Sequence, residues 1–317
     1  MELEVPKKKK LTKRRKKELI FIIVLLAYPV AQFLLTWIFI NSYSIYLSFC
    51  TVDKKVLTFE GFGNYIQIIE DFFNPYSNPV TLDNLGEGVV ISSSMLAFFN
   101  SLGYGIITIF ISLPLALIAS YFLSKKMPLA NVFRFIFFLP NIISIVALIY
   151  AFKLQLDPTA GMLYNILQAM GITIEDSLWP NNSLVIYAYC IWAGIGYNVL
   201  LFSGAIGRVP KELYESAQMD GAGDFKQFTK IMIPMIWPTV VTMLVLGMTS
   251  ILTLYLQPVL FGYDTSYTIA GQIFDGASYL KQQPLLSAYG LLFSFIFAPI
   301  ILLIRKLLSK KYSDVDC

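Results

Sequence analysis

Six long apolar runs separated by polar loops dominate the chain, at residues 19–40, 97–123, 131–151, 184–206, 235–256 and 286–304. As helices, each is long enough to cross most or all of about 30 Å of hydrocarbon. The first run predicts a helix that continues to about Ser48. Prolines punctuate the runs at Pro29, Pro114, Pro140, Pro238, Pro258 and Pro299, where they kink helices and leave carbonyls for neighbours to satisfy. Between the first two runs, residues 52–90 read as a polar loop with Asn74-Pro75 and Asn78-Pro79 as turn signals. Residues 157–172 read as a turn and a short amphipathic helix lying at the outer face of the membrane. The expected fold is an all-α integral membrane protein with six transmembrane helices.

Charge orients the spans. Nine of the first seventeen residues are Lys or Arg, directly before an apolar run, which holds the N-terminus in the cytoplasm. Such a run also suits nucleic acid, but its place before a span favours the membrane reading, and no nucleic-acid partner is expected. A cleavable signal peptide is not expected, because the run outlasts a signal's apolar region. Six crossings place both termini inside. Counting loops on that scheme, twenty Lys/Arg fall inside and only Lys54, Lys55, Lys153 and Lys281 outside. The scheme places Cys50 near the outer surface and Cys317 inside, so an impermeant thiol reagent reaches the first, if it is accessible, and not the second.

The polar insert between the fourth and fifth runs, within 208–234, is the most specific stretch. Lys211 to Gln218 are mostly good helix formers, with Pro210 suited to the first helical position. Gly221 and Gly223 end that helix, and Gly221 is expected at positive φ. Asp224 then reads as the cap of a second helix, with Gln227 completing a capping box. Phe225, Phe228, Ile231 and Met232 recur at helical spacing and predict one apolar face. Pro234 closes the insert. Small Ser216 and Ala217 let another surface approach the first helix.

Composition narrows the chemistry. Of 317 residues, 56% are hydrophobic and only 14% charged, against about 25% charged in soluble domains. Histidine is absent and the three cysteines lack metal-like spacing, which removes His-based triads and most zinc sites. There is no GxxxxGK[ST] segment, so a nucleotide would have to be bound by another polypeptide. No charged residue lies in 88–124, 177–207 or 231–263, which argues against proton- or ion-coupled transport. The runs instead carry Asn141, Tyr187, Tyr189, Trp192, Tyr197, Asn198, Thr249, Ser250, Thr253 and Tyr255. Hydroxyl and amide groups beside aromatic faces suit a neutral sugar. The competing reading is helix packing, the commoner use of Ser, Thr and Asn in membrane helices.

Glu215-Ser216-Ala217, Gly221 and Ile231-Met232-Ile233-Pro234 resemble the EAA motif of ABC-importer permeases, with Ser216 in place of the usual Ala and Ile233 in place of Leu. Phe59 to Tyr65, Arg134-Phe135 through Leu139-Pro140, Gly161 to Asn165 and Trp192 to Asn198 look like carbohydrate-uptake permeases of the maltose and glycerol-phosphate type. The resemblance covers about residues 19 to 311. It implies a type I ABC importer permease fold, with a basic tail at 1–18, a permease domain at 19–311 and a short tail at 312–317. The first helix would wrap a second permease. The implied partners are that permease, an ABC ATPase dimer, an extracellular solute-binding protein and a sugar or oligosaccharide. ATP and Mg would sit on the ATPase, leaving this chain without a cofactor and not itself an enzyme. ATPase coupling falls to Glu215, Ser216, Ala217, Asp220, Gly221 and Pro234. The substrate path falls to Asn141, Trp192, Gly196, Tyr197, Asn198, Thr249, Ser250 and Thr253, with Gly196 letting a sugar ring approach the backbone. A peptide or phosphorylated polyol is the alternative solute, and a secondary transporter the alternative class. The implied location is the bacterial cell membrane. After the fifth run, Leu260-Phe261-Gly262-Tyr263-Asp264 stands where many relatives have a Gly-Gly-Pro turn.

Overall fold

The computed structural model describes residues 13–53, 56–81, 90–125, 127–157, 159, 161–171, 183–262 and 266–310. The start of the basic tail, Lys54, Lys55, Lys126, Tyr263, Asp264 and the tail at 312–317 lie outside them. Helix α1 (Lys13–Ser48) runs on past the apolar segment, as the sequence predicted. Its apolar side chains from Leu19 to Tyr46 are exposed around most of its circumference, which is tolerable only where lipid or another chain covers them. It feeds an antiparallel hairpin of β1 (Cys50–Asp53) and β2 (Val56–Phe59), with Cys50 opposite Phe59. Helix α2 (Gly63–Phe73) follows a turn at Gly61, whose φ is 73°. A second hairpin joins β3 (Pro79–Thr81) to β4 (Val90–Ser92). The loop read as turns thus carries two hairpins and a helix.

Buried Asn64 explains one of the sequence motifs. Its Nδ2 donates to the carbonyls of Ser48 at 2.9 Å and Cys50 at 2.8 Å, closing the end of α1. Tyr65 adds a hydroxyl contact to Ser48 Oγ at 2.9 Å. Cys50 is consequently fully buried, and a thiol reagent aimed at it does not report topology.

The second apolar run is one 32-residue stretch from Ser93 to Ser124. Within it α3 (Ser93–Ile107) passes through a π turn at Thr108–Ser112 into α4 (Leu113–Ser124). Leu113 donates to the Thr108 carbonyl, five residues back, just before Pro114. The proline has no N–H and crowds the preceding turn, and the widened turn absorbs it. The third run departs from expectation: α5 (Ala130–Ile142) and α6 (Ile145–Gln155) meet at 102°. Pro140 lies in the last turn of α5, and Ile143 is extended at φ −78°, ψ 145°, which ends the helix. Helix α7 (Met162–Ala169) is the short helix foreseen there. Gly161 precedes it because a Cβ would stand 2.5 Å from the Gln155 and Asp157 carbonyls.

Helix α8 (Ser183–Ile206) is the fourth span. The insert holds α9 (Lys211–Met219) and then α10 (Asp224–Gln227), a second π turn at Phe228–Met232 and α11 (Ile233–Met235). This π turn also ends just before an X-Pro pair, Ile233-Pro234. A 77° corner leads into α12 (Trp237–Thr253), so the fifth span starts two residues later than predicted. Then come α13 (Leu256–Phe261), α14 (Ile269–Gly276) and the long α15 (Gln283–Ser309). Among the described residues, four helices are long and apolar enough to cross a membrane alone, or up to six spans if each bent pair counts as one.

Three buried clusters hold these elements. At the insert end, Leu113, Ala116, Tyr121, Val199, Phe202, Met232 and Met243 join α4, α8, the insert and α12. Toward the other end of α8, its Ile186 and Tyr189 pack with Tyr104 of α3, Ile149 of α6 and Phe261 of α13. The third cluster sets Ile68 of α2 against Ile269, Tyr289 and Phe293. Cations close two helix ends: Arg134 Nη2 donates to the Leu123 carbonyl at 3.0 Å and Lys153 Nζ to the Phe261 carbonyl at 3.0 Å. We expect Asn64→Ala to leave two buried carbonyls unpaired, costing about 1–3 kcal/mol and lowering the Tm by about 2–10 °C. In solubilised protein the same change should expose Cys50 to maleimide, which leaves it untouched in the unaltered chain; mass spectrometry of the Cys50 peptide reads this directly.

Candidate functional site

The insert ends its first helix in a Schellman turn. Ala222 N–H donates to the Ala217 carbonyl at 2.8 Å, Gly221 N–H to that of Gln218 at 3.0 Å, and Gly221 sits at φ 73°. Pro210 is the N-cap and Lys211 the first helical residue. The expected capping box does not form. Gly223 is the N-cap of the second helix, Asp224 is already inside it, and Gln227 turns its Nε2 to the Ala222 carbonyl at 2.8 Å. The Asp224 carboxylate pairs instead with Lys125 at the end of α4. The apolar face is also smaller than predicted. Met232 is fully buried and Phe228 packs on the same cluster, but Phe225 is 78% exposed. The α9–α10 turn region therefore presents Met219, 89% exposed, and Phe225 outward, close in sequence to exposed Asp220 and Gly221.

Glu215 and Ser216 are exposed on α9, Ala217 half-buried, and Pro234 half-buried behind the π turn. Among the described residues the Glu215 carboxylate has no hydrogen-bond or ion-pair partner, so it does not pin the loop and stays available to another protein. It lines a cavity of about 550 Å³ between α9 and the end of α4, together with Tyr121, Lys125, Tyr214 and Gln227. Burial pushes the Tyr214 phenol above its ordinary pKa, so it remains neutral.

A second cavity, of about 410 Å³, lies where two helix breaks and a π turn converge. Thr108 comes from the first π turn, Asn141, Ile143 and Ile145 from the 102° break, and Ser250, Leu254 and Gln257 from the junction of α12 and α13. Tyr189, Cys190, Ala193 and Gly194 of α8 complete the wall. Among the described residues, none that lines it is charged. Irregular backbone in a span survives only against protein or a water-filled cavity, so two breaks and a π turn meeting at one hollow mark it as a built feature.

The family described as binding-protein-dependent transport system inner membrane component matches residues 88–313. The chain belongs to this family. Among curated relatives, the arabinooligosaccharides transport system permease protein AraP of Bacillus subtilis is 26% identical over 89% of this chain and 88% of its own length. The diacetylchitobiose uptake system permease protein NgcF of Streptomyces coelicolor is 31% identical over 56% of this chain and 54% of its own length. The fold matches a chain of a bacterial alginate ABC transporter solved with its alginate pentasaccharide-bound periplasmic protein. There the TM-score is 0.74 at 19% identity, covering 98% of this chain and 100% of that one.

Within this permease frame the residues assigned to a substrate path separate. Asn141 and Ser250 share the cavity; Asn141 Nδ2 donates to the Ala193 carbonyl at 3.2 Å and Ser250 Oγ to that of Gly247 at 2.6 Å. Gly196 faces protein instead: the carbonyl of Phe137 on α5 occupies the place of its Cβ, with Asn141 Nδ2 2.9 Å away. It is a packing glycine where α5 crosses α8, and no sugar ring reaches its backbone. Trp192 stacks on Phe152 with centroids 6.1 Å apart, outside the cavity lining. Asn198 bonds the Gly194 carbonyl, Thr249 that of Leu246 and Thr253 that of Thr249, each within its own helix. Tyr197 is half-exposed and also outside the cavity. Thr108 and Gln257 line the hollow without having been singled out in the sequence; an uncharged amide beside Pro258, just past a span, was the available signal. Gly196→Leu should abolish assembly by forcing α5 from α8. Asn141→Ala, Ser250→Ala and Gln257→Ala should leave protein yield unchanged and lower uptake severalfold, about 1 kcal/mol for each lost hydrogen bond. Transport assays normalised to membrane content separate the two classes.

Proposed function

We propose that this chain is the permease subunit of an ATP-driven importer for sugars or oligosaccharides. It spans the bacterial cell membrane six times with both termini in the cytoplasm. The observation that carries the reading is the uncharged hollow at two helix breaks and a π turn, lined by Asn141, Ser250, Thr108 and Gln257 and walled by Tyr189. Neutral hydrogen-bonding groups beside an aromatic ring fit a hydroxylated, uncharged solute. The relatives named for arabinooligosaccharides and diacetylchitobiose support the solute class. A relative named for sn-glycerol-3-phosphate transport, in Agrobacterium fabrum, keeps a phosphorylated polyol as the second reading. Against it stands the lack of a cationic side chain in the hollow.

The partners follow from surfaces this chain leaves open. An ABC ATPase dimer meets the insert, where Met219 and Phe225 offer apolar anchors and Glu215 an unpaired carboxylate; exposed aromatic anchors of this sort concentrate binding energy. A second permease covers α1, and an extracellular binding protein delivers the solute. ATP and Mg belong to the ATPase. Purification should therefore bring down a second permease and an ATPase, and mass spectrometry of the ligand on the cognate binding protein should find a sugar. A phosphorylated ligand there would select the second reading. Gly221→Val forces a branched side chain to φ 73° and should distort the turn at a cost of about 1 kcal/mol or more. It and Glu215→Lys should abolish uptake and solute-stimulated ATP hydrolysis while membrane insertion survives. Normal transport in either would remove the coupling role.

A further inference from the structure

We propose that Lys125, Tyr121 and Asp224 form a latch between the insert and the second span, making that span the element that carries movement of the insert to the membrane cavity. The proposal deepens the importer reading and rests on it. Tyr121 is 3% exposed, and its hydroxyl donates to the Asp224 carbonyl at 3.0 Å. Lys125 pairs with the Asp224 carboxylate while its ammonium lies 4.8 Å over the Tyr121 ring centroid. Phe228 meets the same ring edge-on at 5.1 Å. Each charge also sits where its own helix favours it, the carboxylate in the first turn of α10 and the ammonium just past the last turn of α4. Burial lowers the lysine pKa, but the hydrogen bonds to Asp224 and Tyr121 outweigh it and leave the pKa raised, so the ammonium persists.

The two routes out of the insert differ. The covalent route enters the fifth span through the 77° corner after Met235. The latch enters the stretch from Ser93 to Ser124, which counts as one continuous span and places Thr108 in the cavity wall. Ser120 Oγ contacts the Val199 carbonyl at 3.2 Å, so α8 is drawn along with α4. These are positioning residues: none lines the membrane cavity, and the hydrogen bond and ion pair they share join α4 to the insert. An ion pair this exposed contributes little to folding, so its loss should show in coupling rather than in yield.

The test uses the full transporter in proteoliposomes, with Cys317 replaced by Ser and the buried Cys50 left in place. Solute uptake per ATP hydrolysed is the readout, because loss of folding alone would lower both together. Lys125→Asp and Asp224→Lys should each lower that ratio about fivefold or more, and the double exchange should restore most of it. Tyr121→Phe, which keeps the ring, should lower it at unchanged yield. In a Lys125→Cys/Asp224→Cys pair the ratio should be low, rise when a short reversible thiosulfonate linker joins the thiols, and fall again on reduction. Normal coupling in the single variants, no rescue by the exchange, or a linker that stops transport would each overturn the latch while wild-type hydrolysis stands. A wild-type assembly that hydrolyses no ATP would overturn the importer reading and the latch with it.

Discussion

Hydrocarbon offers a peptide group nothing to bond with, and that constraint orders the whole chain. A break in a span must be closed from within the protein. Here the closures can be named: the π turn before Pro114 and Thr268 Oγ1 on the Leu254 carbonyl at 2.6 Å where α12 ends, while Asn141 Nδ2 on the Ala193 carbonyl ties α5 to α8 beside the 102° break. Leu254, Asn141 and Thr108 of the π turn all lie on the cavity wall. The hollow is therefore what remains when interrupted helices satisfy one another sideways.

The same economy governs the small residues. Phe137 of α5 reaches α8 only because position 196 has no side chain, and Tyr187 OH stands 2.7 Å from where a Cβ of Gly103 would be. Without a water-driven hydrophobic effect between helices in lipid, close backbone approach and dispersion carry association. Glycines that look available to a ligand in one dimension are thus taken by a neighbouring helix in three.

That accounts for what the sequence could and could not disclose. Apolar length placed the runs to within a few residues, because burial in lipid is written into composition over about 20 residues at a time. The turn at Gly221 was legible because a positive φ selects glycine. The break after Ile142 was only half legible: Pro140 announced a disturbance, but a 102° turn depends on what α6 packs against, namely Tyr104, Ile186 and Tyr189 from other helices. The cap at Asp224 failed for a related reason. A local rule assigned its carboxylate to its own helix, and Lys125, ninety-nine positions away, took it. Of the polar residues in the spans, Asn141 and Ser250 line the hollow and Thr249 and Thr253 do not, although Ser250, Thr249 and Thr253 all bond carbonyls of their own helix; that choice of face rests on how α12 is rotated against its neighbours.

The π turn at Thr108–Ser112 has a bearing on how this chain tolerates insertions and deletions. An α-helix turns about 100° per residue, and a π turn slips in roughly one residue without lengthening the core contacts on either side. Asn100, Ser101 and Tyr104 on one side of it, and Ser120 and Tyr121 on the other, are thereby aimed at different neighbours by a single extra position. Removing any one residue between 108 and 112 would give a more regular helix and a misdirected one: either half could keep its partners, but not both. Length in this segment is held more tightly than identity.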